Sequence, residues 1–173
     1  MDICIISGYF NPIHPGHISM MQDIKTKYPD STLIVIINND YQVRLKDTVP
    51  FLDEYTRCSI VKHIKGVDRV FLSIDKTKSI AESLTSLIND PIYEAHTVRF
   101  CNGGDRRVDS SELEEVLICQ THKVSVEYGY GDNKRHSSSD ILQKAYRWMS
   151  NRQYWRAFMD DVLSELNISN DPE

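Results

Sequence analysis

Ser7-Gly8-Tyr9-Phe10-Asn11-Pro12-Ile13-His14-Pro15-Gly16-His17 follows directly on the apolar run Ile3 to Ser7 and leads into an amphipathic stretch from His17 to Tyr28. A short, continuous, β-branched run reads as a strand buried on both faces. Gly8 marks the strand's end and leaves room for a ligand to approach the backbone, because it carries no Cβ. Pro15 suits the first turn of a helix, where its missing N–H costs nothing. The segment is therefore read as strand, glycine loop and helix start in succession, with His17 at or near the helix N-terminus.

The same alternation continues along the chain. Leu33 to Asn38, Val70 to Ile74, Val98 to Cys101 and Val124 to Tyr128 repeat the strand signature, while Asp53 to Lys65, Ser79 to Asn89 and Ser111 to Thr121 have helical length and spacing. Strands alternating with helices imply right-handed βαβ units, hence an α/β fold with a doubly wound, mainly parallel, five-stranded sheet. Ligands in that architecture bind beyond the carboxyl ends of the strands. From about Ala145 the texture changes: Trp148, Trp155, Met159, Val162 and Leu166 recur at a/d-like intervals. The expected organisation is a domain over 1–144 and a helical extension over 145–173. That extension either closes over the domain's own core or forms a contact in a homodimer.

Bulk properties narrow the function. With 173 residues and 40% hydrophobic content the chain suffices for one compact core, and a net charge of -5 gives no field to hold a polyanion, so nucleic acid is not an expected partner. No run approaches the ~20 apolar residues that span a bilayer. A soluble, cytoplasmic protein is expected. The four cysteines, Cys4, Cys58, Cys101 and Cys119, form no C-x-x-C pair and read as reduced residues of the interior.

His14 and His17 stand three residues apart, so one helical turn aims both imidazoles at a single phosphoryl group. A helix N-terminus adds unpaired amides and a favourable dipole for anions. Attack by one phosphate on the α-phosphorus of a triphosphate builds charge on the equatorial oxygens and on departing pyrophosphate, and two imidazole donors can follow it. No covalent nucleophile is needed, since positioning and electrostatics suffice. His-x-x-His is also half of a zinc site, but the remaining histidines, His63, His96, His122 and His136, show no ligand spacing. No protein metal site is expected.

The Gly-x-Phe-x-Pro-x-His-x-Gly-His pattern, Gly8 to His17, resembles the signature of the cytidylyltransferase-like nucleotidyltransferase superfamily, which includes glycerol-3-phosphate cytidylyltransferases and heptose-phosphate adenylyltransferases. The usual family form has Asp where Asn11 stands. The resemblance implies a Rossmann-like nucleotidyltransferase fold, catalysis by His14 and His17, and triphosphate binding by backbone at Gly8, Tyr9, Phe10 and Gly16. It places a lysine after the second strand to hold the acceptor's phosphate, for which Lys46 is the first candidate and Arg44 the second. Either is equally readable as an exposed loop cation. Glu54-Tyr55-Thr56-Arg57 resembles a Glu-x-Arg helix entry in which Arg57 contacts substrate, although Arg57 can also pair with Glu54 along the helix.

Two further segments follow strand ends. In Gly103-Gly104-Asp105 the glycines permit close approach, and Asp105 can accept from ribose hydroxyls or organise the waters of Mg²⁺, though the triplet is also common turn chemistry. Lys134-Arg135-His136-Ser137-Ser138-Ser139 precedes a helix pattern. Its serines are ordinary caps or, with Lys134, a cradle for the distal phosphates resembling the family's serine-rich motif. Members that make NAD usually follow those serines with arginine where Leu142 stands. Phosphopantetheine adenylyltransferases typically have Thr in place of His14. Both departures argue against those branches. The expected function is transfer of a nucleoside monophosphate to a phosphorylated small molecule with Mg²⁺, releasing pyrophosphate. CTP with a polyol phosphate is the first choice, ATP with a sugar phosphate the second. A catalytically idle nucleotide-binding or assembly protein is the reading from another class.

Overall fold

The computed structural model describes residues 2–103, 113–131, 137–150, 155–158 and 160–161. They fall into two compact units, Met1–His136 and Ser137–Glu173.

In the first unit, β1 (Asp2–Gly8), β2 (Thr32–Ile37), β3 (Arg69–Leu72), β4 (Thr97–Gly103) and β5 (Ser125–Tyr130) form one sheet in the order β3-β2-β1-β4-β5. Every pairing is parallel. The helices are α1 (Pro15–Lys27), α2 (Asp40–Leu45), α3 (Glu54–Lys62), α4 (Ala81–Ile88) and α5 (Leu113–Thr121). The α/β Rossmann-like reading holds, and the strands match the apolar runs to within a few residues. Alternate strand residues feed two cores. Cys4, Ile6, Leu33, Val35 and Ile37 pack with Met21 and Ile24 of α1 and Val61 of α3. Ile3, Ile5, Ile34, Ile36 and Phe100 pack with Leu84 and Leu87 of α4 and Cys119 of α5. Two buried faces explain why the strands read as unbroken hydrophobic runs rather than as alternation. Each fully buried Ile or Leu contributes about 1.5–3 kcal/mol.

The chain steps outward from β1 to β2 to β3, then returns to the other side of β1 for β4. The direction of winding therefore reverses between β1 and β4, which opens a crevice at their carboxyl ends. The histidine motif leaves β1 at that point.

Helix α2 has no counterpart among the expected helices. It has six residues, buries Gln42 and Val43, and is started by Asn39, whose side chain accepts from the Gln42 N–H while Gln42 Oε1 accepts from the Asn39 N–H. The four cysteines are free thiols; Cys4, Cys101 and Cys119 are buried, and burial pushes the Cys119 thiol up to about 12. No described helix is long and apolar enough to cross a membrane.

The second unit contains α6 (Ser138–Ser150) and further helical residues at 155–158 and 160–161. Ser137 caps α6: its hydroxyl accepts from the Asp140 N–H at 3.1 Å, and Asp140 Oδ2 accepts from the Ser137 N–H at 3.1 Å. Tyr146, Trp148, Met149, Trp155 and Phe158 are all exposed. Of the expected aromatic seam, Met159, Val162 and Leu166 lie outside the described residues.

Candidate active site

Helix α1 begins with its own catalytic candidates. Pro15 is its first residue, His14 its N-cap and His17 its third position. The Gly16 N–H donates to His14 Nδ1 at 3.1 Å, and the His14 N–H donates to His17 Nδ1 at 3.3 Å. Two imidazoles thus do what Ser and Glu do in an ordinary capping box. Their ring centroids are 3.8 Å apart with planes 31° from parallel, so the side chains converge. His14 is 4% exposed and His17 half-buried. Because both Nδ1 atoms accept, the proton of each neutral ring sits on Nε2.

The loop between β1 and α1 is tightly held. Phe10 has φ of +47°, in the left-handed region that non-glycine residues enter only at a cost of roughly 1–2 kcal/mol. Its ring lies 4.6 Å from that of His17, centroid to centroid. A Cβ on Gly8 would come within 3.0 Å of Phe10 Cε2. The space beside Gly8 is therefore filled by the phenyl ring that backs His17. A small residue at this position is required by the packing of Phe10. Gly16 is likewise engaged, its N–H being the donor to His14.

Asn11 is 4% exposed and bridges to the loop between α2 and α3. Its Nδ2 donates to Val49 O at 2.9 Å and its Oδ1 accepts from the Phe51 N–H at 2.6 Å. An aspartate has no donor for Val49, so the departure from the usual family residue has a local use.

Lys46, the C-cap residue of α2, is exposed and holds its Nζ 4.0 Å from the centroid of the Tyr9 ring, a cation–π geometry at the motif. Arg44 is exposed on the last turn of α2. Arg57 turns inward instead. It is 1% exposed, with Nη1 donating to Tyr9 O at 2.6 Å and Asn38 O at 2.7 Å, and Nε to Leu52 O at 3.1 Å. Its Nη2 pairs with Asp40 Oδ1 at 2.6 Å. Glu54 is not its partner: Glu54 Oε2 accepts the Asp40 N–H. The role expected for Arg57 as an acceptor contact gives way to that of a strut tying the motif loop to the ends of β2 and α3, because its donors are directed into the protein.

Gly103 ends β4, beside β1 in the sheet; Gly104 and Asp105 lie outside the described residues. Lys134 does too, and Ser137, Ser138 and Ser139 belong to the second unit. Sequence reasoning passed over Gly131. Its N–H donates to Asp23 Oδ2 of α1 at 2.8 Å, and a Cβ there would meet Gly16 O at 3.1 Å. Its φ of +72° adds a second reason for glycine. The carboxyl end of β5 is thus latched to the first turns of α1. Among the described residues no group of three His, Cys, Asp or Glu side chains could hold a metal ion.

A parallel sheet wound in both directions, with two capped imidazoles at the reversal point, defines a nucleotidyltransferase. The chain belongs to the cytidylyltransferase-like family, which it matches over residues 5–144. It is 32% identical over 147 residues to the FAD synthase of Korarchaeum cryptofilum, covering 83% of this chain and 90% of that one. It is also 32% identical over 153 residues to the FAD synthase of Methanothermobacter thermautotrophicus, covering 83% and 91%. Among solved structures, a lipopolysaccharide core biosynthesis protein from Thermoplasma volcanium superposes with a TM-score of 0.58 at 23% identity, over 74% of this chain and 95% of that one. Thermotoga maritima TmcAL bound with alpha-thio ATP gives 0.62 at 10% identity, over 95% and 56%. Both likenesses concern the fold alone.

Proposed function

We propose that the chain transfers the adenylyl group of ATP to the phosphate of FMN, giving FAD and pyrophosphate. The chemistry rests on one observation, the pair of imidazoles 3.8 Å apart with both Nδ1 atoms taken up by N–H groups at the start of α1. The choice of donor and acceptor rests on the relatives named FAD synthase, aligned over more than four-fifths of the chain. These relatives favour ATP over the CTP expected from sequence, and FMN over a polyol phosphate. The sugar-phosphate alternative shares the adenylyl donor.

In this reading an oxygen of the acceptor phosphate attacks the α-phosphorus, and the bond to the bridging oxygen breaks with its electron pair leaving on pyrophosphate. The Nε2–H groups of His14 and His17 donate to oxygens gaining charge, each contributing about 2.7–4 kcal/mol by analogy with an oxyanion-hole donor. Phe10 keeps His17 in register. Lys46 neutralises the acceptor's phosphate in front of Tyr9, and Arg44, on the last turn of α2, is a second cation for it. Gly103, Gly104, Asp105, Lys134 and Ser137–Ser139 bind the nucleotide, a role supported by resemblance to the family motifs. Mg²⁺ accompanies the triphosphate and offsets its charge. Such an ion needs one or two carboxylates besides the phosphates, so the lack of a three-residue cluster among the described residues is compatible with it; Asp105 is the side chain assigned to it.

The test is pyrophosphate release with ATP and CTP against FMN, glycerol phosphate and a heptose phosphate, with FAD identified by chromatography. ATP with FMN is the expected pair, and His17→Ala lowers kcat at least about a hundredfold while ATP still binds. Turnover only with CTP overturns the donor. ATP binding without turnover on any acceptor points to the idle nucleotide-binding protein.

A further inference from the structure

A cleft of about 520 Å³ opens at the carboxyl ends of β2 and β3, walled by Asn39, Tyr41, Leu72, Ser73, Ile74 and Lys76. It joins the motif along the sheet edge. The Asn38 N–H donates to Gly8 O at 3.0 Å, and the Ser73 N–H donates to Ile37 O at 2.8 Å. Gly8, the end of β2 and Ser73 are therefore consecutive steps across the sheet. Two strand spacings put the cleft roughly 10 Å from Gly8.

The polar groups of this cleft serve the fold. The Asn39 amide donates to Ser73 O and Asp75 O at 3.0 and 2.8 Å. Asp75, 2% exposed, accepts from the Glu82 N–H at 2.7 Å, the Ser83 N–H at 3.1 Å and the Ser73 hydroxyl at 3.0 Å. Glu54 at the rim takes the Asp40 N–H. What faces a ligand is a phenol and a branched aliphatic chain, Tyr41 and Ile74, 54% and 53% exposed, with the exposed cation Lys76 beside them. Aromatic and aliphatic walls, with the cation Lys76 and the carboxylate of Glu54 at the polar rim, suit a flat conjugated ring with donor and acceptor atoms on its edge.

We infer that this cleft is the acceptor's ring site, and that Tyr41 and Ile74 select a phosphorylated acceptor whose flat heterocycle hangs from a polyol arm. The inference rests on the FMN reading above. An acceptor phosphate held by Lys46 in front of Tyr9, the residue after the end of β1, lies about two strands from the cleft, a gap that a polyol arm bridges and a glycerol phosphate does not fill. Ring stacking on Tyr41 and burial against Ile74 act equally in ground and transition states, so their loss moves KM rather than kcat.

FMN binding is measured by flavin fluorescence without nucleotide, and FAD formation by steady-state kinetics, for the full chain and for Tyr41→Ala and Ile74→Glu. Both side chains are half exposed, so melting temperatures should hold and serve as the control for folding. Each variant is expected to weaken FMN binding and raise its KM about tenfold, with kcat within about twofold. Failure of the wild type to form FAD overturns the FMN reading. Absence of flavin binding, or binding and KM unchanged in both variants, overturns the cleft assignment.

Discussion

Replacing Arg57 with methionine separates a strut from a substrate contact. Methionine roughly keeps the volume and loses every donor. The change strands Tyr9 O, Asn38 O and Leu52 O, and leaves the Asp40 carboxylate, 19% exposed, without its cation. Removing one partner of a buried ion pair costs about 3–5 kcal/mol. Water at Asp40 lowers that figure, while the carbonyl of Asn38, a residue only 2% exposed, raises it. At ~2–4 °C per kcal/mol for a chain of this size, the melting temperature should fall by roughly 10 °C. Thermal unfolding followed by circular dichroism measures this, and acceptor KM is measured in parallel below the transition. A group that touched the acceptor would give the opposite pattern. A variant melting within about 2 °C of wild type with a raised acceptor KM would refute the strut and restore the substrate role.

Three other outcomes follow from the geometry. Asn11→Asp removes the donor to Val49 O and sets a carboxylate against that carbonyl; a loss of about 1–3 kcal/mol and faster proteolysis within 47–52 are expected, and unchanged cleavage would refute the clamp. Glu127 is pushed up by burial, but hydrogen bonds from Tyr130, Lys27 and Tyr28 outweigh this and hold it near about 2, below an ordinary 4.5. Its folded value is the lower one, so its contribution is complete above pH 4.5 and is lost as pH falls toward 2. Glu127→Gln should flatten the acid limb of a stability-against-pH curve. The aromatic face of the second unit, where Trp155 and Phe158 stack at 5.5 Å, predicts a homodimer by light scattering that becomes a monomer when residues after Ser150 are removed; equal masses would refute it.

The strands were legible because residues such as Ile34 and Ile36 face one core while Leu33 and Val35 face the other, which writes burial into consecutive letters. Pro15 announced the start of α1, and the spacing of His14 and His17 announced their convergence. Helix α2 was hidden because six residues carry no period, and its start depends on a side-chain exchange between Asn39 and Gln42. The fate of Arg57 was illegible for a different reason. Its carbonyl partners come from three separate loops, and nothing local distinguishes a guanidinium that points outward from one satisfied within. Gly8 shows the converse limit: the need for a small residue was plain, but the packing of Phe10 against it was not.

The imidazoles that start α1 also terminate its backbone ladder, so donor geometry and helix nucleation share the same two bonds. Activity should therefore return during refolding in step with the first turn of that helix, not after it. Any change that frays the turn should displace both rings together, even when the sheet beneath is intact.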